Sequence, residues 1–304
     1  MFVEQGISRK NKFWKYLVGS LMIIGVSFIG QVPLLLGILY QVLFNDSKYP
    51  SSNKELMQIF DSNLTLFLIL IPSVITLFSI FYVVRRLHQQ SIRSVTTSRQ
   101  NIDWKRIFFS FSIWSGFIIL ITLLDYSFNP NEFVLNFKPI PFIVLVVLGC
   151  FLIPFQTSVE EYIFRGYLMQ GFANLAKNKW FPLIMTSIIF GVMHLFNPEV
   201  SRMGNIIFIY YIGTGLFLGT LTLMDEGMEL ALGFHAANNL VSALLITAEW
   251  SAFQTESIFK DISVPDTKFD IILPVFVIYP LLLFIFSHKY QWSDWKEKLT
   301  GKIH

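Results

Sequence analysis

Eight apolar runs separated by short polar segments dominate the chain: residues 17–44, 64–84, 107–124, 139–172, 181–196, 206–223, 228–247 and 271–287. A membrane-crossing helix needs about 20 mostly apolar residues. The pattern therefore predicts an all-α fold, a polytopic membrane helical bundle of about eight transmembrane helices. The first run is over-long and holds Gln31 and Pro33, which predict a kink or tilt. The fourth is longer still. Pro154 removes a backbone donor inside it and predicts an interruption that protein or a water-lined cavity repairs. The polar segments 45–63 and 248–270 are too short for a separate folded unit, so a single integral-membrane domain over 1–304 is expected.

Composition agrees with the pattern. Of 304 residues, 54% are hydrophobic and 14% charged, where soluble domains carry about 25% charged residues. The single cysteine, Cys150, excludes an internal disulfide and a cysteine-based metal cluster. A net charge of +3 gives no argument for a nucleic-acid partner; the placement of the basic residues says more. Arg9, Lys10, Lys12 and Lys15 precede the first run as they would in a secretory signal. That run far exceeds the roughly 7–15 apolar residues of such a signal and ends without a small-residue cleavage site, so a retained first span is expected. The terminal Gly-Lys-Ile-His is not a lipidation box. Sixteen of the 23 lysines and arginines fall in odd-numbered polar segments, six in even-numbered ones and one, Arg165, inside the fourth run. Basic residues favour the cytoplasmic side, which predicts cytoplasmic N- and C-termini.

Candidate chemistry lies where charge interrupts the apolar runs. Ser158-Val-Glu-Glu-Tyr-Ile-Phe-Arg-Gly-Tyr167 places two carboxylates and a guanidinium near the end of the fourth run, where each ionised group costs about 2.5–3.5 kcal/mol to insert. Residues four apart share a helix face, so Glu161 and Arg165 are expected to pair. Glu160 points about 100° away and is left for general-base work. Holding a helix hairpin together is the bland alternative for all three. The hairpin of runs four and five must turn near Lys177-Asn-Lys179. Glu160 lies seventeen residues before Lys177 and His194 seventeen after it, which predicts equal depth and a shared water. On the seventh run His235 and Asn239 share a face, and both side chains can donate to a developing oxyanion. Helix–helix hydrogen bonding is the alternative, and is the expected role of Asn238. Two histidines and a glutamate also make a zinc set, and the spacing does not separate metal-bound water from glutamate-activated water.

Glu160-Glu161-x-x-x-Arg165, Phe190-x-x-x-His194 and His235-x-x-x-Asn239 resemble the motifs of the CPBP family, the CAAX-processing and bacteriocin-protective intramembrane peptidases. The resemblance covers about residues 155–240 and suggests a peptidase core over 139–247. It implies an eight-helix bundle whose cavity opens toward the cytoplasm, with Glu160 and His194 activating water, His235 and Asn239 holding the oxyanion, and Glu161 and Arg165 supporting the site. Cleavage is then expected near the cytoplasmic membrane face, on a peptide or membrane-protein substrate that the family's name allows to be lipidated. No cofactor is expected, because an asparagine in the fourth position suits an oxyanion better than zinc; the metal alternative uses Glu160, His194 and His235. Phe and Ile enrichment together with short loops suggests a bacterial cell membrane.

Other intramembrane proteases need residues that are absent here: His-Glu-x-x-His, Gly-x-Ser-Gly or Gly-x-Gly-Asp. The glycines of Gly213-x-Gly215-x-x-x-Gly219 sit in an apolar run with no strand before it, and predict close helix packing rather than a nucleotide loop. A transporter would use the buried charges as an ion relay, but no pair of matching interrupted helices marks two halves. A non-catalytic immunity protein would keep the bundle without turnover.

Overall fold

The computed structural model describes residues 1–7, 11–264 and 269–303. Arg9, Lys10, His304 and residues 265–268 of the second long polar segment lie outside the described residues. Each apolar run becomes a helix: α1 Phe13–Phe44, α2 Ser62–Arg86, α3 Trp104–Phe128, α4 Pro139–Ala176, α5 Trp180–Met193, α6 Ile207–Asp225, α7 Glu229–Leu245 and α8 Ile271–Tyr290. The protein is a helical membrane bundle. Among the described residues six helices are long and apolar enough to cross a membrane, against the eight expected. The two that fall short are α5, with 14 residues, and α7, with 17. At 1.5 Å per residue α5 spans about 21 Å. It stops because the His194 amide turns back to Gly191 O at 3.1 Å, tightening the last turn, and Pro198 follows soon after. Helix α7 carries Glu229, His235, Asn238 and Asn239 on a mostly buried surface, so its apolar face is built for protein rather than lipid.

The breaks expected from proline fall one where predicted and one elsewhere. Helix α1 interrupts at Gln31, just before Pro33. Pro154 leaves α4 helical, with the Thr157 hydroxyl donating to Ile153 O at 3.1 Å. The irregular part of α4 comes later, as a π-helical stretch at Tyr162–Leu168, a wide turn often found at functional sites. Gly166 there lies so near the Val95 carbonyl that a Cβ would stand 2.8 Å from it. Gly215 meets Ser187 of α5 in the same way at 2.9 Å, the close packing expected of that glycine run.

Contacts gather the odd-numbered polar segments at one end. Lys177 closes the α4–α5 turn in the left-handed conformation, and Ile303 N donates to its carbonyl at 2.9 Å. Arg99 binds Asp225 at 3.0 Å and Glu229 at 3.1 Å; Arg106 also binds Asp225, and Trp292 Nε1 donates to that carboxylate at 3.1 Å. Phe2 N donates to Glu226. Both terminal segments, the 85–106 loop and two interhelical turns are thereby tied together. The even-numbered segments meet at the other end, where strands β1 Phe133–Leu135, β2 Ile246–Ala248 and β3 Phe259–Asp261 form a small sheet in the order β1-β3-β2.

Candidate active site

Helices α4 and α7 pack side by side and bring the charged groups together. Glu161 and Arg165 pair at 3.1 Å on α4, with 0% and 1% of their side chains exposed. Burial of that kind is tolerable only for matched charges. The guanidinium also donates to Gly215 O at 3.3 Å and lies 4.5 Å over the Phe190 ring, which fixes α4 against α5 and α6. Glu161 Oε1 accepts a second bond, from His235 Nδ1 at 2.7 Å. An ionised carboxylate accepts only, so the proton of this bond belongs to Nδ1 and the Nε2 atom faces the other way. There it stands 3.8 Å from Glu160 Oε2.

Glu160 is held from behind. Gln156, one turn earlier, donates to its Oε1 and accepts from Asn239 Nδ2 at 3.0 Å. Asn239 in turn accepts from Asn238 at 3.1 Å, and Asn238 accepts from Trp114 Nε1 at 3.1 Å. Asn238 thus joins α7 to α3, the helix-joining role expected of it. Glu160 Oε2 has no hydrogen-bond partner among the described residues. His194 caps α5 instead of lying within it. Its Nδ1 donates to Phe190 O at 2.7 Å, and its ring stacks on Tyr211 with centroids 4.5 Å apart.

Glu160, His194, His235 and Asn239 line one cavity of about 740 Å³. Glu161 and Arg165 lie behind its wall. Gln156 and Glu199 line it as well and were not anticipated as site residues. Gln156 stands four residues before Glu160, so the spacing that pairs Glu161 with Arg165 also reaches it. Nothing in the sequence joins Glu199 to the site. It lies in the polar turn after His194, accepts from Ala252 N at 2.7 Å and leaves Oε2 unpartnered.

Three ligands of a zinc ion must converge within about 2.0–2.2 Å of one point. Among the described residues no three His, Cys, Asp or Glu side chains are grouped to hold an ion. Glu160, His194 and His235 therefore do not form the set the metal alternative requires.

Part of the cavity wall comes from Asn197, Glu199, Met203 and residues 250–253, all in even-numbered segments.

A helical membrane bundle with a mostly apolar cavity that carries carboxylate and imidazole groups in its wall is the class that fold and site define. Residues 139–241 match the family described as type II CAAX prenyl endopeptidase Rce1-like. That segment contains all three motifs and is the part of the chain that is similar to the CPBP peptidases. The match supports a CAAX-type intramembrane protease, a hydrolase, as the general class. The uncharacterised protein YyaK of Bacillus subtilis (strain 168) is 29% identical over 248 residues, covering 81% of this chain and 82% of the relative. No solved structure matches the chain.

Proposed function

We propose that the protein is an intramembrane endopeptidase in which Glu160 activates water for attack on a peptide bond held in the cavity. The observation that carries the reading is the free Oε2 of Glu160, unpartnered in the wall of the cavity that His194, His235 and Asn239 also line. Gln156 occupies the other oxygen, so one lone-pair face of the carboxylate is directed and one is available. Water bound there loses a proton to Glu160 as its oxygen attacks the carbonyl carbon. His194, with Nδ1 committed to Phe190 O, has Nε2 left to hold the same water.

Attack places negative charge on the former carbonyl oxygen. His235, whose Nε2 is turned toward Glu160, supplies an N–H donor to it when that nitrogen carries a proton, and the second N–H of Asn239 Nδ2 supplies another. Collapse of the tetrahedral species breaks the C–N bond, and the proton held by Glu160 passes to the leaving amine. Glu161 and Arg165 are positioning residues: they orient the imidazole and neutralise each other out of water. This route needs no metal.

The substrate is a peptide or a segment of a membrane protein, with or without a lipid. The Bacillus relative supports a bacterial cell membrane as its setting. The test is proteolysis of a mixed peptide library by purified protein in liposomes, reading new termini by mass spectrometry. Wild type is expected to cut, and Glu160→Ala and His194→Ala to lose cutting. Undiminished cleavage by both variants overturns the proposal.

A further inference from the structure

Buried carboxylates in this bundle come with cations. Glu161 holds Arg165, Asp225 holds Arg99 and Arg106, and Glu229 holds Arg99. Ionised groups taken out of water need such partners. Glu199 departs from the pattern. It lines the cavity, its Oε2 is buried without a hydrogen-bond partner, and among the described residues it forms no ion pair. Even Arg202, three residues further on in the same short helix Pro198–Met203, is exposed and pairs elsewhere than with Glu199 or not at all.

The other oxygen of Glu199 has a structural use. It accepts from Ala252 N at 2.7 Å and ties that helix to the segment around Ala252. The tether needs Oε1 only and leaves Oε2 for a ligand. Trp250, two residues before Ala252, has the opposite need: its Nε1 is a buried donor without an acceptor, and the residue lines the same cavity. Met203, Ile207, Tyr211 and Ile271 pack together as an apolar cluster and line it as well.

A long basic side chain matches these surroundings. Its methylenes lie along apolar wall while its charged head binds a carboxylate. Trp250 supplies an aromatic ring, which attracts cations, and an N–H for a backbone carbonyl. The place is beside the proposed catalytic groups. Glu199 is near enough to the His194 imidazole for their charges to interact, without an ion pair between them. The His194 ring in turn stacks on Tyr211 of the apolar cluster.

We propose that Glu199 forms a subsite for a Lys or Arg side chain of the bound polypeptide, within a few residues of the bond to be cut. The word cut rests on the peptidase reading above; the subsite itself stands on the unpaired carboxylate, the Trp250 donor and the apolar wall. The substrate class is then a peptide segment with a basic residue at a fixed distance from its scissile bond.

Two measurements test this, one with turnover and one without. In the first, the mixed peptide library is cut in liposomes and the residues flanking each new terminus are counted. Lys and Arg are expected to be enriched about 10-fold or more at one position, the worth of one charge-assisted hydrogen bond. Glu199→Gln, which keeps an acceptor for Ala252 N, should lose that enrichment at a preserved thermal midpoint, and Glu199→Lys should shift it to Asp and Glu. In the second, Glu160→Gln protein binds short Leu/Ala peptides carrying a neutral dye, with a single Lys moved through every position, and a matching series carrying Gln. The best Lys peptide should bind about 10-fold tighter than its Gln counterpart, and adding Glu199→Gln should abolish the difference. Equal binding of the two series at every position overturns the subsite, as does basic enrichment that survives in Glu199→Gln. Binding selectivity without any cutting by wild type would sink the peptidase reading alone, and cutting without basic selectivity would sink the subsite alone.

Discussion

His235 and Glu161, 74 residues apart in sequence, are joined by a 2.7 Å hydrogen bond inside the membrane bundle. The same carboxylate oxygen pairs with Arg165 at 3.1 Å, so one atom holds α7 to α4 and sets which imidazole nitrogen faces Glu160. Removing one member of a buried pair leaves an uncompensated charge, at a cost of about 3–5 kcal/mol. Glu161→Gln is therefore expected to lower the thermal midpoint in detergent strongly. The double change Glu161→Leu with Arg165→Met should lose less than either single change, which a double-mutant cycle reads directly.

Gln156 is expected to matter through Glu160. Gln156→Ala removes the donor that directs the Glu160 carboxylate and frees the Asn239 amide. Its rate should fall by about 10- to 100-fold, with kcat reduced more than KM is raised and little change in thermal midpoint. Gln156→Asn, one methylene shorter, should recover part of the rate. A variant that changes only KM would place Gln156 in binding instead.

The basic end holds a second buried network. Arg99 reaches Asp225 and Glu229, whose side chains are 1% and 0% exposed. Arg99→Ala should destabilise the bundle by about 3–5 kcal/mol while leaving the cavity lining untouched. Thermal denaturation checks the first statement, and kcat measured well below the midpoint checks the second.

His88, beyond the end of α2, gives a pH dependence. Burial, and then the nearby Lys15 ammonium, hold its pKa down at about 4, against 6.5 for a free imidazole. Between these values the unfolded chain takes up a proton that the folded chain does not, so stability is complete above about pH 6.5 and falls as pH drops toward 4. The thermal midpoint should decrease over that interval. His88→Gln should flatten this part of the profile, at some cost in stability at pH 7 because the bonds to Tyr167 and Asn11 change.

Chelation separates the two routes to an activated water. Dialysis against EDTA or 1,10-phenanthroline is expected to leave cleavage unchanged. Loss of activity that zinc restores would reinstate a metal held by Glu160, His194 and His235.

The helices were legible because membrane burial leaves long apolar runs that polar segments must punctuate. The turn at Lys177–Lys179 and the Glu161–Arg165 pair followed from spacing along one helix. What sequence could not give was contact between helices. The bond from His235 to Glu161, the Asn239–Gln156–Glu160 chain and the position of Glu199 each depend on how α4, α5 and α7 lie against one another. Pro154 misled, since α4 stays helical through it and the irregular turn arises later, where Gly166 meets Val95. Strands of three residues in polar segments carry too few positions for an alternating pattern to show.

Everything proposed about catalysis depends on Glu160 accepting a proton. Its isosteric replacement Glu160→Gln keeps the size of the side chain and removes that capacity, so single-turnover cleavage in liposomes is the most direct measurement. A fall of about 100-fold or more, with the thermal midpoint preserved, is the predicted result. Cleavage at the wild-type rate by a folded Glu160→Gln protein would contradict it.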